Sequence, residues 1–293
     1  MNTNITRVIP YKGKELLSPK YDAVFKGLFG RESSKRALKS LLYEFLDLDI
    51  KDENLIYFEN NEVATDNYKD KQTLYDLSLS VDEGDGINYV IIEIQLCNKY
   101  NTRNRFRKYL LKKANSVATA ENTENTKMEK VYLLALLDYK FYNKKNDDYV
   151  VYYEGGFHSK YEIEKSDIKA VLIELPKVKK NKNINSLKEA WLAFFNLEKE
   201  EDVDMLRHYE IIDNLIDELE LISADEETRL KIEIAQKEEA DFRSAMTGSR
   251  EEGMEKGMEK REREIAKNLK ARNYDKFEIS EITGLSISEI ESL

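Results

Sequence analysis

The sequence predicts an α/β fold with a C-terminal all-helical extension, and three stretches carry that expectation. Thr73 to Leu96 alternates apolar and polar residues on either side of a turn containing Gly84 and Gly86, the period of two of a β-hairpin. Val131 to Leu137 is apolar at nearly every position, as expected of a strand buried on both faces in the middle of a sheet. Amphipathic helical patterns lie before the hairpin and beyond residue 185.

In chain order, Ser18 and Pro19 are expected to open a helix reaching Phe29, with serine at the cap and proline in the first turn. Gly30 ends it, and a second helix is expected from Ser33 to Leu46, with Leu38, Leu41, Leu42 and Phe45 facing inward. A short strand, Leu55 to Phe58, and a polar connection lead to the hairpin. A helix from about Thr102 follows, then the apolar strand. Tyr149 to Tyr153 and Tyr161 to Ile163 read as a hairpin around Gly155 and Gly156, and Ile168 to Leu175 as a strand stopped by Pro176.

After the basic linker Lys177 to Lys182 the composition turns acidic, and two or three helices carrying Trp191, Phe194, Phe195, Leu215 and Leu219 are expected to pack on the core. Gly248 to Glu264 repeats Gly-Met-Glu-Lys and reads as a flexible connector or a marginal helix, since glycine weakens a helix by about 1 kcal/mol. The last 20 or so residues suggest two short helices about Gly284, with Ser286 and Glu289 as a capping box, similar to a helix-turn-helix but without a basic recognition helix. DNA binding and packing or assembly both suit such a tail. The expected division is 1–180, a core; 181–247, an acidic helical extension; and 248–293, a connector with the paired-helix tail.

Composition narrows the function. No run of 18 apolar residues is present, so no membrane span is expected. A single cysteine, Cys97, excludes an internal disulfide and a cysteine-based zinc site, and points to a reducing, cytoplasmic setting. A net charge of −10 argues against a protein that coats nucleic acid, but not against a local basic patch. One such patch exists. Residues 98–120 hold seven Lys or Arg and no acid: Lys99, Arg103, Arg105, Arg107, Lys108, Lys112 and Lys113, interleaved with Tyr100, Phe106 and Tyr109.

The patch follows the hairpin, where two acids stand awkwardly. With the loop centred between Gly84 and Asp85, Asp76 faces Glu93, and Gln95 lies two residues further on the same face. Opposed like charges destabilise a sheet, and a shared divalent cation offers a reason for them. Asp76 and Glu93 supply hard oxygen ligands for Mg²⁺, the Ile94 carbonyl a third, and Asp22 of the first helix is placed to join the acidic cluster. Gln95 is placed to orient a water or touch a phosphate. Arg105 and Tyr109, one helical turn apart, share a face from which to hold the scissile phosphate, with Lys99, Arg103, Arg107, Lys108 and Lys112 as further nucleic-acid contacts. The same alternation also suits a half-exposed antiparallel sheet with no site, and Asp22 with Lys26 suits a surface ion pair. The isolated His158 and His208 carry no ligand pattern.

The pieces SPKYDAVFKGLFG (18–30), DKQTLYDLSLSVDEGDGINYVIIEIQL (70–96), RFRKY (105–109), VYLLALLDY (131–139) and IELPK (173–177), with the tail REEGMEKGMEK…ITGLSISEIESL, occur in an order that resembles the PD-(D/E)XK nuclease family transposases, the recombination-promoting nucleases. The resemblance implies a restriction-endonuclease-like mixed sheet flanked by helices and a DNA endonuclease using Mg²⁺, with Mn²⁺ as a substitute. It implies Asp76 and Glu93 as the acidic pair, Gln95 where the wider superfamily often has lysine, Asp22 as the first-helix acid, and Arg105 with Tyr109 on the helix after the motif. A homodimer is implied by analogy with enzymes that cut two strands. A catalytically silent DNA-binding or assembly protein of the same fold is the alternative, and RNA is not separated from DNA by any feature of the chain.

Overall fold

The computed structural model describes residues 8–59, 62–63, 73–82, 86–97, 101–118, 129–142, 147–155, 168–179 and 183–293. Strands β1 (Val8–Tyr11) and β2 (Lys14–Leu17) form an N-terminal hairpin through Lys12 and Gly13, both at positive φ. Helices α1 (Asp22–Phe29) and α2 (Lys35–Leu46) follow, then β3 (Ile56–Phe58), β4 (Glu62–Val63), β5 (Thr73–Leu74), β6 (Leu77–Asp82) and β7 (Ile87–Gln95). Helix α3 (Thr102–Ala118) leads to β8 (Lys130–Leu137), β9 (Val150–Gly155) and β10 (Ile168–Glu174). The rest is helical: α4 (Leu187–Phe195), α5 (Glu200–Leu206), α6 (Glu210–Ala224), α7 (Glu226–Ala271), α8 (Lys276–Thr283) and α9 (Ile287–Ser292).

The main sheet has six strands in the order β3-β6-β7-β8-β10-β9. Strand β8 runs parallel to both neighbours, β7 and β10, whereas β6–β7, β3–β6 and β9–β10 are antiparallel. The sheet is therefore mixed, with the apolar run 131–137 at its centre. Tyr132, Leu134 and Leu136 enter one core with α1, α2 and α4–α6, and Val131, Leu133, Ala135 and Leu137 enter a second core under α3. Burial on both faces is what removes the polar alternation from β8.

One expectation changes, at the start of the first helix. The first helix starts at Asp22, because Pro19 sits in a turn closed by the Tyr21 N–H on the Ser18 carbonyl at 3.2 Å. Ser18 is buried in that turn and does not cap the helix. Strand β9 pairs with β10, with Val151 opposite Leu172; the stretch 161–163 and the loop centre at Gly84 lie outside the described residues. Gly248 to Glu264 belongs to the 46-residue helix α7, where Glu252 and Lys256 pair at i, i+4 across 2.6 Å. The N-terminal hairpin had no place in the reading of the sequence.

The chain divides into two compact units, one ending at Ile232 and one starting at Glu233. Helices α4–α6 belong with the sheet: Trp191 stacks on Phe195 at 6.1 Å and both meet Phe29 of α1. In the second unit Ala266, Ile279, Leu285 and Ile290 form a small core, Gly284 turns the chain at φ 74°, and Ser286 with Glu289 makes the capping box expected there. No helix among the described residues is long and apolar enough to cross a membrane.

Candidate active site

Strands β6 and β7 pair in the register that the alternation implies, Leu77 opposite Ile92 and Asp82 opposite Ile87. The pairing ends at Leu77, and Asp76 occupies a bend just before it. Its N–H is thus not consumed by the ladder and donates to Glu93 Oε1 at 3.3 Å. In return the Ile94 N–H donates to Asp76 Oδ2 at 2.7 Å. Each carboxylate is held by a backbone N–H of the opposite segment.

The polar face of this hairpin is not half-exposed. Helix α3 covers it, leaving Glu93 3 % and Gln95 6 % exposed, while the Asp76 side chain keeps 20 %. Burial raises the Asp76 carboxyl to about 6 against the pull of the Ile94 N–H, and nearby Asp22 pushes it the same way. Burial and then the Asp76 charge hold Glu93 well above the ordinary carboxylate range, and Arg105 only partly offsets this. Two acids that resist joint ionisation are a site prepared for a positive charge.

Two cations stand at the ends of the pair. On one side α1 is fixed by Phe25 and Phe29 against Phe195, so that Asp22 and Lys26, beside that apolar stripe, approach Asp76. Lys26 Nζ is 2.8 Å from Asp22 Oδ1 and 3.9 Å from Asp76 Oδ1. On the other side Arg105 of α3 reaches Glu93 Oε2 at 3.9 Å, with its guanidinium 5.9 Å from the Tyr109 ring. Tyr109 packs edge-on against Tyr75 at 5.0 Å. The expected sharing of one helix face by Arg105 and Tyr109 is met.

Gln95 is tied down at two points, one of them secured in turn by an ion pair. Its carbonyl accepts the Asp138 N–H at 2.8 Å, its Oε1 accepts the Tyr139 hydroxyl at 3.1 Å, and Lys20 locks Asp138 through a buried ion pair of 2.8 Å. Its Nε2 finds no hydrogen-bond partner among the described residues, and neither do Arg105 Nε and the Tyr75 hydroxyl. Buried donors are rarely left so, and here three of them surround a pair of carboxylates.

The structure thus brings together Asp22, Asp76, Glu93, Gln95, Arg105 and Tyr109. Of the remaining basic candidates, Arg107 and Lys108 are exposed on α3 and Lys112 is half-buried. Arg103 lies over the Phe141 and Tyr142 rings at 5.6 and 5.2 Å, and Lys99 lies outside the described residues. Tyr75 and Tyr139 were missed by the sequence reading. Tyr75 carried a signal, since it adjoins Asp76, whereas Tyr139 is brought in only by the pairing of β7 with β8. Among the described residues no group of three His, Cys, Asp or Glu side chains is arranged to hold a metal ion.

Residues 19–249 match the model of one protein family, PD-(D/E)XK nuclease family transposases. No curated protein and no solved structure matches the chain.

Proposed function

Because the chain belongs to the PD-(D/E)XK nuclease family transposases and has their restriction-endonuclease-like sheet, we propose that it is a Mg²⁺-dependent DNA endonuclease acting through Asp76 and Glu93. The observation that carries this reading is the buried pair itself, whose carboxyls are both pushed upward by burial and by neighbouring acids.

The donor set fits the metal. Mg²⁺ is commonly held by one or two carboxylates, with waters and substrate phosphate oxygens completing its shell. Asp76 and Glu93 would provide the carboxylates. The N–H and C=O of one strand residue point the same way, so the Ile94 carbonyl leaves on the side of its N–H, toward Asp76, and would be the third oxygen. Bound there, Mg²⁺ supplies charge stabilisation for the phosphate and a more acidic water; Mn²⁺ would serve the same ligands.

The chain's own groups supply the rest. Gln95 Nε2 and the Arg105 guanidinium are donors with capacity to spare for a non-bridging phosphate oxygen, and the Tyr109 ring keeps Arg105 in place. Arg103, Arg107, Lys108 and Lys112 extend this positive surface along α3 and suit a nucleic-acid backbone. One site cuts one strand, so a double-strand break would take two copies of the chain. The single cysteine suits a reducing, cytoplasmic compartment.

The test is cleavage of supercoiled plasmid in Mg²⁺, Mn²⁺ or EDTA. Wild type is expected to nick in either metal and not in EDTA, and Asp76→Ala and Glu93→Ala to lose nicking while keeping their circular dichroism. A double variant that cuts as fast as wild type would overturn the assignment.

A further inference from the structure

Away from the carboxylate pair, the turn after β8 carries three aromatic residues within four positions, Tyr139, Phe141 and Tyr142. Tyr139 reaches the candidate site: its hydroxyl donates to Gln95 Oε1 at 3.1 Å and accepts from the Thr102 side chain at the start of α3. The row continues with Phe141, 6.4 Å from the Tyr139 ring, and Tyr142, 6.1 Å from the Phe141 ring. Arg103, the second residue of α3, sets its guanidinium over the last two rings, 5.6 and 5.2 Å from their centres. Two ring steps thus lead from the partner of Gln95 to an exposed tyrosine.

The backbone beneath these rings is held in place. Glu174, fully buried, accepts the N–H groups of both Phe141 and Tyr142 and pairs with Lys177 at 2.9 Å. A ligand meeting the rings is spared the cost of ordering that backbone. Packing accounts for Phe141, which lies against the core under α3. It does not account for Tyr142, which keeps 49 % of its surface exposed with Arg103 already over its ring. One exposed aromatic side chain is ordinary on a protein surface. An exposed ring beside an arginine, on the helix whose bases stand without an acid from Thr102 to Ala118, is a different case. Sites for single-stranded nucleic acid have this make-up, with rings taking bases and cations taking phosphates.

We propose, resting on the DNA partner assigned above, that Tyr142 and Arg103 form a stacking subsite for an unpaired base on the strand that passes Gln95. Inside a duplex both faces of a base are covered by its neighbours. A side-chain ring can take a base only where the strand is gapped, flapped or frayed, or where the base is turned out. Tyr142 takes that base. Arg103, seated on two rings, keeps N–H donors for the adjoining phosphate. Arg107 and Lys108, exposed further along α3, are left for the backbone of the paired part. The subsite thereby selects a substrate class: DNA in which an unpaired stretch meets duplex, in preference to continuous duplex.

The full-length chain in EDTA tests this by fluorescence anisotropy with two duplexes of one sequence. One is continuous, and the other has a short single-stranded gap containing 2-aminopurine. Wild type is expected to bind the gapped duplex more tightly and to quench the 2-aminopurine. Tyr142→Ala is expected to lose the quenching and to bind the gapped duplex about 5- to 100-fold more weakly, the span for one base–aromatic stack. Tyr142→Trp, which restores a stacking face, is expected to keep both. Equal affinity of wild type for the two duplexes overturns the subsite, as does gapped-duplex binding by Tyr142→Ala within about twofold of wild type. An equal loss on both duplexes also overturns it, since a stack on an unpaired base cannot weaken continuous duplex. Binding and quenching are read without cleavage. Their failure with plasmid nicking intact overturns the subsite alone, and absence of nicking in every divalent metal overturns the endonuclease reading alone.

Discussion

Asp76 and Glu93 make the fold less stable where they are ionised together. The ordinary value for Asp76 is 3.8 and the folded one about 6. An acid whose folded value lies above its unfolded value binds more protons when folded, so its contribution favours folding at low pH. That contribution is lost as pH rises from about 4 through about 6, and the full cost stands at pH 7. Without metal, Asp76→Asn is therefore expected to melt a few degrees higher than wild type at pH 7 and at the same temperature near pH 4. The gain is on the order of 3 kcal/mol at most, because one pKa unit corresponds to about 1.4 kcal/mol. Thermal denaturation in EDTA at the two pH values reads this directly, and an Asp76→Asn protein that melts lower at pH 7 would mean that the pair is not under strain. Asparagine keeps an acceptor for the Ile94 N–H, so the comparison isolates the charge.

At the scale of elements, the site rests on the ends of strands. Glu174, fully buried at the end of β10, accepts the N–H groups of Phe141 and Tyr142 at 3.2 and 3.0 Å and pairs with buried Lys177 at 2.9 Å. It thereby holds the turn after β8 that carries Tyr139 onto Gln95. Glu174→Ala would leave an ammonium and two N–H groups buried without that acceptor, and is expected to cost about 3–5 kcal/mol in urea denaturation. Nothing in the string IELPK announces this role, because it depends on three segments meeting. The start of α1 is a related case. Ser18-Pro19 is a sound local signal for a helix start, yet the Ser18 side chain accepts the Lys20 N–H at 3.4 Å within the turn, and the helix waits for Asp22. Gly27 gives a second check on α1. Valine there would press on Ile222 and is expected to cost about 1–3 kcal/mol, read by the same denaturation.

At the scale of the whole molecule, charge is segregated. The chain carries −10, yet α3 carries its bases without an acid between Thr102 and Ala118. Such an acid-free stretch, next to the carboxylate pair, suits a polyanion despite the net charge. DNA binding is expected to weaken steeply with salt, and replacing Arg103, Arg107 and Lys108 together by alanine should lower the slope of log K against log[salt] by about 2–3, at roughly 0.9 per phosphate contact. Fluorescence anisotropy with a labelled duplex in EDTA measures it, and an unchanged slope would remove these residues from the contact surface. The mixed order of the sheet serves the same end. With β8 parallel to β7, the chain leaves both strands at the same edge, so that the Asp138 N–H meets the Gln95 carbonyl.

The sequence by itself determined the hairpin register, the central apolar strand, the basic helix and the facing of Asp76 toward Glu93, because each follows from a local period and from where a run begins and ends. It also held the family resemblance that the match over residues 19–249 bears out. Tertiary structure alone decided that the polar face of the hairpin is buried under α3, that Tyr75, Tyr139 and Lys26 border the pair, and that Glu174 fixes the turn beside Gln95. Those outcomes depend on segments that meet across the sheet from about 12 to 50 positions apart, and no local period encodes such a contact.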